Sequence, residues 1–148
     1  MLPHASFLYF AAMRSVLLVE DDIFDTMMAQ KTFAKFSVPH QLHTAFNGEE
    51  ALDLLLGRGG VAPIEPLPEL ILLDLNMPRM NGLEFLAEMR ATPTLCDIPV
   101  YITTTSEMER ERVAAAELAV SGYILKPLDF ASGTDLVDSL NLLEKLLK

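Results

Sequence analysis

Three stretches decide most of what this chain can fold into. Ser15–Glu20 (SVLLVE), Glu69–Asp74 (ELILLD) and Pro99–Thr104 (PVYITT) each carry an apolar run with no polar alternation. Each is too short for a buried helix and is rich in Val, Ile and Leu. Strands read this way when both faces of their sheet are covered, which is the pattern of a parallel sheet. His40–Phe46 alternates as a strand does, and Gly122–Leu125 supplies a short fifth strand.

Segments of helical character fall between these runs. The predicted helices are Ile23–Phe36, ended before Pro39, then Asn47–Leu56, Asn81–Arg90, Ser106–Ala119 and Asp135–Leu147. Asn47 suits an N-cap with Glu50 as its reciprocal partner, and Asp22 suits the cap of the first helix. Gly57–Pro68 (GRGGVAPIEPLP) is dense in Gly and Pro and reads as a loop. Strand and helix alternate five times, so the crossovers are right-handed and helices cover both sides of one parallel sheet.

A chain of 148 residues suits one domain, expected over residues 14–148, and 51% apolar content excludes a disordered chain. The single cysteine, Cys96, cannot form a disulfide within the chain, and a cytoplasmic setting is the expectation. A formal net charge of -10 argues against nucleic acid and against an anionic membrane surface as partners. No apolar run reaches the roughly 20 residues of a membrane helix. Residues 1–13 contain the apolar stretch Phe7–Ala12 without a preceding basic residue, which disfavours a secretory signal. They are expected to be a disordered leader or to precede a true start at Met13.

Open parallel sheets place their ligand sites at the carboxyl ends of the strands. Here those ends carry Glu20-Asp21-Asp22, Asp74, Thr104-Thr105 and Lys126-Pro127. Alone, each has an ordinary explanation: a helix cap, a turn former, strand propensity. Together they form complementary chemistry. Three crowded carboxylates, Glu20, Asp21 and Asp74, need compensation, which Lys126 and a Mg²⁺ would supply. Zn²⁺ is disfavoured because no His or Cys ends a strand. Asp74 could then attack phosphorus as an oxygen nucleophile, with Lys126 and the Thr104 hydroxyl stabilising the equatorial oxygens.

The stretches LLVEDD (Leu17–Asp22), LILLDLNMPRMNGLEFL (Leu70–Leu86), PVYITTTSE (Pro99–Glu107) and SGYILKP (Ser121–Pro127) resemble the receiver domain of two-component response regulators. The resemblance implies a flavodoxin-like doubly wound (βα)5 three-layer sandwich with strand order 2-1-3-4-5. It implies Asp74 as phosphoacceptor, Glu20 and Asp21 as Mg²⁺ ligands with the Asn76 backbone carbonyl, and Lys126 as the phosphate-contacting lysine. Thr104 and Tyr123 would be the switch hydroxyl and switch aromatic. A cis Lys126-Pro127 bond and a turn through Met77-Pro78 and Gly82 are also implied. Glu20 stands where Asp is frequent, a variant that keeps a carboxylate at the cation site. The long Gly57–Pro68 loop, the LLDLNMP run and the Thr-Thr-Ser string are similar to stand-alone regulators that serve phytochrome-type histidine kinases. The Leu128–Thr134 connection is slightly longer than the family's.

A switch without an attached output domain would signal through protein contacts or onward phosphotransfer, after phosphotransfer from a sensor histidine kinase or a histidine phosphotransfer protein. Leu136, Leu140, Leu143 and Leu147 are expected to face the core, leaving Leu142 and Leu146 as an apolar flank for a homodimer. Two other functions compete. A phosphatase with an aspartyl-phosphate intermediate would want a second Asp where Asn76 stands, so an enzyme is not expected beyond self-phosphorylation and self-dephosphorylation. A phosphorylation-independent pseudo-receiver would usually lack the acceptor or the lysine, and both are present.

Overall fold

A computed structural model describes residues 14–128 and 136–147. Residues 1–13, on which the expectation of a leader falls, and most of the Leu128–Thr134 connection lie outside the described residues.

The elements are β1 (Ser15–Val19), α1 (Ile23–Lys35), β2 (Gln41–Ala45), α2 (Gly48–Leu56), β3 (Leu70–Asp74), α3 (Gly82–Ala91), β4 (Val100–Thr104), α4 (Glu107–Ala115), β5 (Gly122–Leu125) and α5 (Leu136–Leu147). The strands pair in parallel in the order β2-β1-β3-β4-β5. This is the expected flavodoxin-like arrangement.

Side chains alternate across the sheet and sort the apolar residues into two cores. Leu17, Val19, Ile71, Leu73, Val100 and Ile102 pack with Leu52, Phe85, Met89 and Val113, so α2, α3 and α4 cover one face. Val16, Leu18, Leu70, Leu72 and Ile124 pack with Phe33, Leu142 and Leu146, so α1 and α5 cover the other. β1, β3 and β4 are buried along their whole length, which is why their sequences show no alternation.

Helix starts follow the caps. The Asp22 carboxylate accepts from the N–H groups of Phe24 and Asp25 at 2.8 and 3.1 Å. Asn47 accepts from Glu50 N–H, and Asn81 forms a full capping box with Glu84. Glu50 returns its carboxylate to the N–H of Phe46 rather than to that of Asn47. At the fourth helix the expected span to Ala119 is too long. α4 stops at Ala115, and Glu117 takes a left-handed φ of 56°.

The last helix corrects the expected leucine face. Leu142 and Leu146 are fully buried in the α1–α5 core, Leu143 is half-buried, and Leu147 is exposed. The side chains of Leu136 and Leu140 lie outside the described set. The reason is an anchor the leucines do not reveal. The Asp138 carboxylate accepts the Tyr123 N–H at 2.9 Å, which turns this residue toward β5. Leu142 and Leu146 follow at i+4 and i+8 and therefore face the sheet as well. The proposed dimer flank is core, and the case for a homodimer through it falls.

Candidate functional site

The carboxyl ends of β1, β3, β4 and β5 bring together the residues singled out by sequence. β1 delivers Glu20, whose N–H extends the sheet ladder to the Ala45 carbonyl at 2.9 Å. β3 ends on Asp74, opposite Thr103 in the register with β4. Thr104 follows on β4, and its carbonyl accepts the N–H of Lys126 at 2.9 Å, just beyond β5.

Gly82 lets the loop after Asp74 close. A Cβ there would lie 2.7 Å from Leu75 Cα, and its N–H donates to the Leu75 carbonyl at 3.0 Å. Only a residue without a side chain lets the start of α3 approach the backbone just after Asp74 this closely. The Lys126-Pro127 bond is cis, as expected.

Oxygens of Glu20, Asp21 and Asp74 lie within 4.8 Å of one another. Glu20 and Asp74 are buried and Asp21 is exposed, so the cluster opens to solvent on the Asp21 side. The Lys126 ammonium reaches in from the other side, 2.7 Å from Glu20 Oε1 and 3.1 Å from Asp74 Oδ1. The second Glu20 oxygen accepts the Asp22 N–H at 3.1 Å.

These charges perturb one another in definite directions. Burial pushes the Glu20 carboxyl up to about 7, against the pull of its hydrogen bonds from Lys126 and Asp22. Burial also raises the Asp74 carboxyl; Lys126 opposes this, while the charges of Asp21 and Glu109 add to it. Burial disfavours the Lys126 ammonium, but Glu20 and Asp74 outweigh it and hold its pKa above the ordinary lysine value. The donor set is all hard carboxylate oxygen, with more negative charge than one lysine cancels. That fits a divalent cation of the Mg²⁺ or Mn²⁺ kind, and Glu20, Asp21 and Asp74 could hold it.

Two site residues escaped the sequence reading. Asp25, in the first turn of α1, places Oδ2 3.2 Å from Lys126 Nζ. Glu109, in the first turn of α4, accepts hydrogen bonds from the Thr104 hydroxyl, from Thr105 N–H at 3.2 Å and from Asn76 Nδ2 at 2.6 Å. Tyr123 is half-buried, with the Arg110 guanidinium 4.6 Å from its ring centroid.

The family profile described as "Response regulator receiver domain" matches residues 16–138. The chain belongs to this family. The receiver is 39% identical over 111 residues to response regulator Rcp1 of Synechocystis, covering 75% of each chain. A solved Mn²⁺-bound form of response regulator Rcp1 matches with a TM-score of 0.69 at 34% identity, covering 89% of this chain and 90% of that one. The bacteriophytochrome response regulator AtBRR matches the receiver with a TM-score of 0.78 at 30% identity, over 91% and 92% of the two chains. The phosphorylated cyanobacterial phytochrome response regulator RcpA matches with a TM-score of 0.70 at 35% identity, over 90% and 91%. The receiver is thus a response-regulator domain of two-component signalling, and its acidic pocket is of the kind in which receivers bind a divalent metal. Among the described residues, no helix is long and apolar enough to cross a membrane.

Proposed function

We propose that Asp74 accepts a phosphoryl group from a histidine of a sensor kinase or a phosphotransfer protein, and that this switches a protein-contact surface of the receiver. One observation carries the reading: a single ammonium, Lys126, spans Glu20 and Asp74 at the edge of a three-carboxylate cluster. An Asp74 oxygen forms the new bond to phosphorus while the phosphorus–nitrogen bond to the donor histidine breaks, its electron pair leaving with the imidazole. Lys126 neutralises charge on the phosphoryl oxygens, and the Thr104 hydroxyl donates to one of them. Mg²⁺, held by Glu20, Asp21, Asp74 and the Asn76 carbonyl, would offset the remaining negative charge. Tyr123 and α4 respond to the movement of Thr104 and change the α4–β5–α5 face.

The relatives named as phytochrome response regulators favour a phytochrome-type histidine kinase as the phosphoryl donor. The cytoplasm is the compartment in which such a donor would be met. To test the acceptor chemistry, the protein is incubated with Mg²⁺ and acetyl phosphate, and intact mass is recorded. One phosphoryl adduct is expected on the wild type, none on Asp74→Asn, and none on the wild type after chelation. A wild type that stays unmodified with Mg²⁺ and excess acetyl phosphate would falsify the reading.

A further inference from the structure

The sequence Ser106-Glu107-Met108-Glu109 has the spacing of a capping box, in which Glu109 would reach back to the start of its own helix. The structure uses it otherwise. Ser106 makes no side-chain cap bond. Glu109 instead turns inward and is only 5% exposed. The partners its carboxylate shows are neutral: the Thr104 hydroxyl, the Thr105 N–H and the Asn76 side-chain amide. A buried glutamate satisfied this way, rather than by a lysine or arginine, is uncommon.

The groups it holds are the ones the acceptor needs. Thr104 has one hydroxyl proton, directed at Glu109 or at the Ser106 carbonyl, and its oxygen already accepts the Ser106 N–H. It cannot donate to a phosphoryl oxygen while donating to Glu109. Asn76 lies two residues beyond Asp74 and ties the acceptor loop to the same carboxylate. The next residue, Arg110, stacks on Tyr123.

We propose that Glu109 is a positioning residue, a latch that holds Thr104 and Asn76 in the unphosphorylated arrangement and is expelled when a phosphoryl group on Asp74 competes for the Thr104 hydroxyl. The proposal rests on Asp74 being the acceptor. Phosphorylation takes the acceptor from one negative charge to about two. Repulsion and loss of the hydrogen bond from the Thr104 hydroxyl then act on Glu109 together. Because Glu109 belongs to the first turn of α4 and adjoins Arg110, its release moves the helix start and the Arg110–Tyr123 stack.

The test uses beryllofluoride with Mg²⁺ as the phosphoryl mimic, titrated calorimetrically into the folded full chain. Glu109→Ala removes the competitor, and about tenfold tighter binding than wild type is expected. Amide NMR of the free variant should place the Thr105 and Tyr123 resonances part-way toward their positions in mimic-bound wild type. In a Thr104→Ala background the same substitution should change affinity less than about twofold, because the latch acts through that hydroxyl. Glu109→Gln keeps the side-chain shape and answers the same question should the alanine variant not fold; it also binds tighter. A wild type that takes up no mimic overturns the acceptor reading, and the latch with it. A wild type that binds while a folded Glu109 variant binds no tighter overturns the latch alone. Equal tightening with and without Thr104 also overturns it, since simple charge removal then suffices.

Discussion

The Lys126 ammonium lies 3.1 Å from the Asp74 carboxylate, across 52 residues of sequence. Both groups are largely buried, and Glu20 and Asp25 share the same cation. Among the described residues, Lys126 is thus the counter-charge for this cluster. Lys126→Met should lower stability by about 3 kcal/mol at neutral pH without divalent cations, because removing one partner strands buried charge. Millimolar Mg²⁺ should restore part of the loss. Urea midpoints with and without Mg²⁺ measure both effects; no stability change in cation-free buffer would contradict the assignment.

Glu20 sets a pH dependence. Its carboxyl is raised from 4.5 to about 7 in the folded state, chiefly by burial. A raised acid binds its proton more tightly folded than unfolded. Its stabilising contribution is therefore complete below about pH 4.5 and is lost as pH rises through about 7. Asp74 is raised as well and acts in the same sense. Cation-free stability should decline across that window by up to about 3 kcal/mol from Glu20. Saturating Mg²⁺ should flatten the slope, since it favours the ionised carboxylates. Thermal melts at fixed ionic strength, with and without Mg²⁺, check the sign.

Gly82 is a steric requirement next to Asp74. An added Cβ would meet Leu75 Cα at 2.7 Å, and backbone cannot swing aside as a flexible side chain can. Gly82→Ala should cost about 2 kcal/mol by overpacking and should slow phosphorylation by shifting the Asp74 loop. Denaturant unfolding and the rate of acetyl phosphate labelling report the two consequences separately.

Leu142 is a core residue of the α1–α5 face, with no exposed surface. Leu142→Ala should destabilise by about 2–5 kcal/mol through loss of burial and the cavity left behind. If Leu142 were instead an exposed contact residue, the substitution would leave the urea midpoint nearly unchanged.

The sheet and four of its strand ends were legible because the signals are local. Leu70–Leu73 is apolar without a break because both faces of β3 are covered, and Asp74 then stands out as the point where that pattern stops. Asp25 and Glu109 were not legible for the opposite reason. Each sits in the first turn of a helix, where an acid is ordinary, and only the packing of α1 and α4 aims it at Lys126 or Thr104. The rotation of α5 is not legible in the sequence because leucines lie on several of its sides, so composition does not select a face. The hydrogen bond from Tyr123 N–H to Asp138 selects it, and that contact joins residues no helical pattern relates.

The most direct measurement locates the phosphoryl group itself. After labelling with acetyl phosphate and Mg²⁺, borohydride reduces an aspartyl phosphate to homoserine, and peptide mass spectrometry reads the position. The prediction is homoserine at position 74 and unmodified acids at positions 20, 21 and 25. Reduction at one of those three instead, with Asp74 intact, would contradict the assignment of Asp74 as the acceptor.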